Sequence, residues 1–214
     1  MADHDPWESA YSHLDSPRPP NTHLVAALAR LDVKPGHRAL DLGCGSGRHL
    51  PLLAQRGLRP TGVDLSPAAL VASHRLAPGI PLAQTSADTL PFADEAFDLI
   101  VAWGVLFHLH PDRLLDALRE IRRTLSRDGT AILHALDPSD WRRDPNAGPE
   151  HRRAIASRFM SGVLDSFYTP EEIAAMLAPH FETVSRELVH TQHDYGLSVE
   201  WVIVVHPRSH TKRH

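Results

Sequence analysis

The chain has 214 residues, 42% of them hydrophobic, which is enough for one sizeable core and short for two full domains. Its formal net charge of -4 supplies no basic surface, so neither nucleic acid nor a membrane is an expected partner. The single cysteine, Cys44, excludes an intramolecular disulfide framework and a zinc site built from several thiolates; with no apolar run of the ~20 residues a membrane span needs, the expectation is a cytoplasmic protein.

Helical spacing occupies residues 4–14 and 21–31, separated by the breaker Ser16-Pro17-Arg18-Pro19-Pro20. Residues 1–36 therefore read as a helical extension able to cover a site. From residue 37 the period alternates. Strands are predicted at 38–42, 59–63, 81–84, 97–102 and 130–136, and helices at 48–56, 67–75 and 111–125. Strands separated by helices of this length build crossover units and a parallel sheet, hence an α/β fold. Ser66-Pro67 marks a helix start, and Arg127-Asp128-Gly129 a turn before a strand. Beyond Asp137 the segment DPSDWRRDPNAGPE is polar and broken by proline and glycine, so residues 138–168 read as a lid, with a helix predicted over 150–159. Thr169-Pro170-Glu171-Glu172 opens the next helix with an N-cap, a first-turn proline and two acids. Strands at 181–189 and 198–205 form an antiparallel pair, which ends the main domain (37–206) before a disordered tail (207–214).

The most informative stretch is ALDLGCGSGRHL at 39–50. A glycine-rich turn between a buried strand and a helix turns backbone N–H groups and the positive helix end toward an anionic or polar ligand. A phosphate loop needs a lysine after its last glycine, where Arg48 stands, and a dinucleotide fingerprint needs G-x-G-x-x-G, where Gly43, Gly45 and Gly47 give G-x-G-x-G. One strand later, in TGVDLS, Asp64 sits where a carboxylate accepts both hydroxyls of a ribose, a feature shared by S-adenosylmethionine and NAD.

These motifs, with TSADTLPFADEAFDLIVAWGVLFHL and LREIRRTLSRDGTAIL in order over 39–133, resemble the class I S-adenosylmethionine-dependent methyltransferases, in their small-molecule branch. FYTPEEIAAMLAPHFETV extends the likeness. The resemblance implies a Rossmann-like, doubly wound seven-stranded sheet of order 3-2-1-4-5-7-6, the last strand antiparallel, with helices on both faces. It implies S-adenosyl-L-methionine as cofactor and S-adenosyl-L-homocysteine as product. Asp41 and the turn Gly43, Cys44, Gly45 and Gly47 then hold the methionine end. Asp64 takes the ribose, Leu65 lies against the adenine, Ala87 and Asp88 meet its edge, and Trp103 lines the methyl-donor region. Where the family often has Lys-Pro-Gly-Gly, this chain has Ser126-Arg127-Asp128-Gly129, a change in a turn.

A sulfonium methyl needs alignment and exclusion of water more than activation, and a base only where the acceptor must lose a proton. His108 is the candidate base or orienting group. His134, Phe107, Trp7, Trp141, Tyr168 and Tyr195 are candidates for contact with the acceptor. Trp7 and Tyr11 share one helix face, where they close over cofactor and substrate or pack in the core; Tyr11 is placed with the cofactor. Sixteen histidines raise the question of a metal, but His108-x-His110 lacks a third ligand and none is expected. The reading is methyl transfer to an oxygen or nitrogen nucleophile of a small metabolite or natural product, by a monomer or homodimer. The alternatives are a non-catalytic cofactor-binding protein and a thiol or metalloid acceptor. A nicotinamide oxidoreductase of the short-chain type needs Tyr-x-x-x-Lys, and neither Lys34 nor Lys212 follows a tyrosine at that spacing.

Overall fold

The two central strands are apolar on both faces, as strands covered by helices on both sides must be. They are β1 (Arg38–Leu42) and β4 (Phe97–Ala102), both buried over nearly their whole length. The computed structural model describes residues 6–12, 18–144, 146, 148, 155–157 and 162–208. The other elements, in chain order, are α1 (Pro6–Ser12), α2 (Thr22–Ala29), α3 (Leu50–Gln55), β2 (Arg59–Asp64), α4 (Pro67–Leu76), β3 (Leu82–Gln84), a 3-10 turn (Leu106–His108) and α5 (Pro111–Thr124). They continue with β5 (Leu125–Leu136), β6 (Ile155–Ala156), β7 (Leu164–Asp165), α6 (Pro170–Leu177), β8 (Phe181–His193) and β9 (Gly196–Pro207).

The main sheet runs β3-β2-β1-β4-β5-β9-β8. Counted within that sheet alone, this is the expected 3-2-1-4-5-7-6. β1 to β5 are parallel, and β9 is antiparallel to both β5 and β8. Alternate side chains of the central strands feed two cores. Leu40, Leu42, Ile100 and Leu133 pack on one face with Leu118 and Ile121 of α5 and Ile173 of α6. Ala39, Leu99, Val101 and Ile132 pack on the other with Leu24 and Leu28 of α2 and Leu53 of α3.

Local chemistry sets the helix starts. The Asn21 side chain accepts from the His23 and Leu24 amides, that of Ser66 from Ala69 N, and Thr169 with Glu172 forms a reciprocal capping box. Proline stands in the first turn of α3, α4, α5 and α6, where its missing N–H costs nothing.

Four expectations change. β5 begins at Leu125 rather than 130, and the Arg127-Asp128-Gly129 turn lies within it as an excursion between the pairs Phe97↔Leu125 and Leu99↔Thr130. The final hairpin is longer than its apolar runs, because β8 is the sheet edge: its polar residues from His190 to His193, exposed or half-buried in alternation, still pair with β9. Pro207, assigned to the tail, pairs with Phe181. The helix expected over 150–159 is contradicted at Ile155–Ala156, which form an antiparallel ladder with Leu164–Asp165. The rest of that predicted helix, the ends of the helix predicted at 4–14, and the tail beyond Arg208 lie outside the described residues.

Candidate active site

The carboxyl ends of β1, β2 and β4 surround a cavity of about 300 Å³. This is where open α/β sheets bind ligands, because the loops diverge there on either side of the strand-order reversal. Its floor comes from Leu42, Gly43, Val63 and Asp64, its sides from Leu65, Ala87, Val105 and His108, and its cover from Pro6, Trp7 and Tyr11 of α1 with Val163 and Leu164.

The glycine loop is shaped by backbone bonds: Cys44 N donates to Val63 O (2.9 Å) and Gly47 N to Cys44 O (2.9 Å). Gly43 and Gly45 have φ of 69° and 55°, the left-handed region that disfavours other residues. A Cβ on Gly43 would lie 2.7 Å from Val105 Cβ, and one on Gly45 would collide with the Tyr11 hydroxyl. Asp64 braces the loop, accepting from Gly45 N at 2.8 Å and Ser66 N at 3.0 Å. Burial pushes its carboxyl up from the ordinary value, partly opposed by these amide bonds. Burial likewise pushes up the Tyr11 hydroxyl and the Cys44 thiol, the neighbouring carboxylates adding to both, so Cys44 is a packed neutral thiol and no nucleophile.

Asp41 is 1% exposed, and among the described residues neither carboxylate oxygen has a hydrogen-bond partner. His49 Nδ1 lies 3.9 Å from its Oδ1. Burial lowers the guanidinium pKa of Arg48, next to the loop, against the pull of Asp41.

Ala87 reaches the cavity, but Asp88 is engaged: Arg113 grips it through Nε (2.5 Å) and Nη2 (3.1 Å) and also holds Ser86 Oγ (2.6 Å). These bonds hold the Asp88 carboxyl down at about 2. Arg113 itself reaches the cavity wall, a role that nothing in the first turn of an amphipathic helix would reveal.

His108 lines the cavity, edge-on to the Trp7 ring at 4.8 Å. Its Nδ1 stands 3.0 Å from Leu164 O and 3.1 Å from Asp165 Oδ1. The other candidates lie apart from this cavity. Trp103, 4% exposed, belongs to the core with Leu24 and Ile132 and stacks on His134 at 4.4 Å with ring planes 5° apart. Phe107, His134 and Tyr168 border a separate space of about 30 Å³ between the 3-10 turn, β5 and α6. Trp141 packs against Tyr195 at 5.0 Å beside the tip of the β8–β9 hairpin.

Behind them runs a buried charge chain that sequence reasoning missed. His134 Nε2 lies 3.2 Å from Glu200 Oε2, Glu200 Oε1 accepts from Arg142 Nη2 at 2.7 Å, and Arg142 Nε donates to Asp140 Oδ1 at 2.7 Å. Asp140 Oδ2 accepts in turn from Val199 N. Burial works against the charged form of Glu200, but His134 and Arg142 outweigh it and hold its carboxyl well below the usual range. Arg142 thus ties the segment after β5 to β9. Among the described residues there is no group of three or more His, Cys, Asp or Glu placed to hold a metal ion, and no helix is long and apolar enough to cross a membrane.

Residues 40–133 match the family model described as a methyltransferase domain. The matched segment holds the glycine loop, Asp64, Ala87 and His108. Over these residues the chain is similar to the methyltransferase domain of the class I S-adenosylmethionine-dependent methyltransferases. An uncharacterised methyltransferase of Synechocystis is 34% identical over 115 residues, 53% of this chain and 54% of that protein. The chain spans about half, or less, of the length of the curated relatives it matches. Two solved structures share the methyltransferase fold. The PH0226 protein of Pyrococcus horikoshii has a TM-score of 0.72 at 19% identity, with 94% of this chain and 99% of that one covered. The 1,6-didemethyltoxoflavin-N1-methyltransferase of Burkholderia thailandensis, solved with 1,6-didemethyltoxoflavin and S-adenosylhomocysteine, has a TM-score of 0.64 at 22% identity, with 97% and 80% covered.

Proposed function

We propose that this chain transfers a methyl group from S-adenosylmethionine to an oxygen or nitrogen nucleophile of a small molecule. The observation that carries the reading is one cavity whose lining joins two kinds of residue, Asp64, Leu65 and Ala87 with His108 and Trp7.

The first set fits the cofactor. Asp64 reaches the cavity with acceptor capacity beyond the two amides it already binds, which suits a ribose diol. Leu65, 47% exposed, offers apolar surface to an adenine beside Ala87. Outside the cavity lining, Asp41 is a buried carboxylate that lacks donors among the described residues, a costly arrangement that an ammonium relieves, and Arg48, whose charge Asp41 pulls on, suits a carboxylate. Together they match the charges of an amino-acid zwitterion. When bound, S-adenosylmethionine supplies an activated sulfonium methyl and leaves as a neutral thioether.

The protein's part is to exclude water with α1 and the 162–164 segment, orient the acceptor, and receive a proton where one must leave. His108 is the group placed for that last task. The apolar cover of Pro6, Trp7, Val163 and Leu164 over a small cavity supports a small acceptor. The lone reduced Cys44 accords with a cytoplasmic setting. Radiolabelled S-adenosylmethionine incubated with a panel of hydroxyl and amine metabolites tests the proposal. Labelled product, inhibited by S-adenosylhomocysteine, is expected. Cofactor binding without product across the panel would favour a non-catalytic binding protein.

A further inference from the structure

We propose that Asp165 is a positioning residue that, with the Leu164 carbonyl, holds the neutral His108 ring with its proton on Nδ1 and its lone pair on Nε2, and that this pair serves a hydroxyl acceptor. The proposal rests on the function above for the identity of the reaction, but the geometry of the pair stands without it.

The two groups facing His108 Nδ1 are a carbonyl oxygen at 3.0 Å and a carboxylate oxygen at 3.1 Å. Both are acceptors, and a lone pair on Nδ1 would face them repulsively, so the hydrogen-bond network assigns the proton to Nδ1. Free histidine prefers its proton on Nε2; here the fold imposes the other tautomer. The second ring nitrogen is then the basic one on a ring that borders the cavity.

Asp165 is fully buried, and apart from the His108 Nδ1 contact neither oxygen has a partner among the described residues. A carboxylate in that state is destabilising unless a cation faces it. The imidazolium formed when His108 takes a proton is that cation, so the burial cost of Asp165 is offset at the moment of proton transfer. A purely structural position would be better filled by an apolar residue of the same volume.

The backbone fixes the pair rigidly. Ser166 N donates to Phe107 O (2.8 Å), which zips the segment after β7 to the 3-10 turn that carries His108. Tyr168 N donates to Leu136 O (2.8 Å), and Leu164 and Asp165 pair with Ala156 and Ile155.

The acceptor class follows from what a base accomplishes. A neutral amine presents a nucleophilic lone pair already, and a thiol ionises near neutral pH, whereas a phenol-like hydroxyl titrates near 10 and gains most from losing its proton as it attacks. In the step, the acceptor oxygen forms the C–O bond to the methyl carbon and the S–CH3 bond breaks with its electron pair on sulfur. The hydroxyl proton passes to His108 Nε2, and solvent later removes it. Trp7, Val163 and Leu164 beside His108 suit an uncharged, planar acceptor.

The test is two-bond 1H–15N imidazole spectroscopy on the full ligand-free chain, with His108→Asn identifying the signals. The wild type is expected to show Nδ1–H with a pyridine-type Nε2. Asp165→Leu is expected to give a mixture of tautomers, and Asp165→Asn, which keeps an acceptor oxygen, to restore the single form. An Nε2–H ring in the wild type, or an Asp165→Leu spectrum like the wild type, overturns the pair. Catechol added with S-adenosylhomocysteine is expected to shift the Nε2 resonance; no shift, or an equal one with aniline, overturns the hydroxyl assignment. A wild-type chain that fails to bind S-adenosylhomocysteine in a separate titration counts against the methyltransferase function, while the tautomer result still judges the pair.

Discussion

Glu8 of α1 caps a helix it does not belong to: its Oε2 accepts from Ser66 Oγ at 2.7 Å and from Ala68 N at 3.0 Å, at the start of α4. A carboxylate there meets free amides and the positive helix end together. Because α1 also carries Trp7 and Tyr11 into the cavity, the bond couples the cover to the carboxyl end of β2.

Glu8→Ala should therefore act on the cover. Loss of a capping contact costs about 1 kcal/mol. We expect a small fall in Tm and a several-fold faster release of S-adenosylhomocysteine, measured by stopped-flow displacement. An unchanged release rate would mean that α1 does not gate the cavity.

Gly45→Ala should be severe for two separable reasons. The left-handed φ of 55° costs a residue with a Cβ about 1–2 kcal/mol, and the new methyl collides with the Tyr11 hydroxyl. We expect binding to be lost in the single variant and partly recovered in Gly45→Ala with Tyr11→Ala, which removes the collision and leaves the strain. Titration calorimetry of both variants checks this; equal loss in the two would assign the whole effect to the backbone.

The Asp88–Arg113 pair makes a pH prediction whose sign follows from the folded value of about 2, below the ordinary carboxylate value near 4. A depressed carboxyl stabilises the fold above the unfolded pKa, and that contribution disappears as pH falls from about 4 to 2. Arg113→Gln should lose stability at neutral pH and show a shallower decline across that window. Urea midpoints measured from pH 6 to 2 for both proteins decide the matter.

Much of the architecture could be read from residue order because each signal was local. The apolar runs of β1 and β4, the proline-marked helix starts and the glycine turn act within a few residues, and they gave the sheet order through the family resemblance. The same holds for Asp64, whose place after β2 puts it on the cavity. What stayed hidden depends on distant partners. Nothing near Asp165 announces His108, fifty-seven positions earlier in the chain, and Arg113 looks like any helix-surface arginine until Asp88 is seen beneath it. The 138–168 segment misled for a related reason: the part around Ile155 takes its strand form from pairing with Leu164 and Asp165, which local propensity does not encode. Trp103, an aromatic just beyond β4, went instead to the core against His134.

The central claim is that the cavity at Asp64 binds S-adenosylmethionine through its ribose. Titration calorimetry with S-adenosylhomocysteine on wild type and Asp64→Ala, with NADH as control, tests it most directly. The prediction is that S-adenosylhomocysteine binds, NADH does not, and the variant is weaker by about 1–3 kcal/mol from the lost hydroxyl contacts. Binding of NADH in place of S-adenosylhomocysteine, or equal affinity in wild type and Asp64→Ala, would contradict the account.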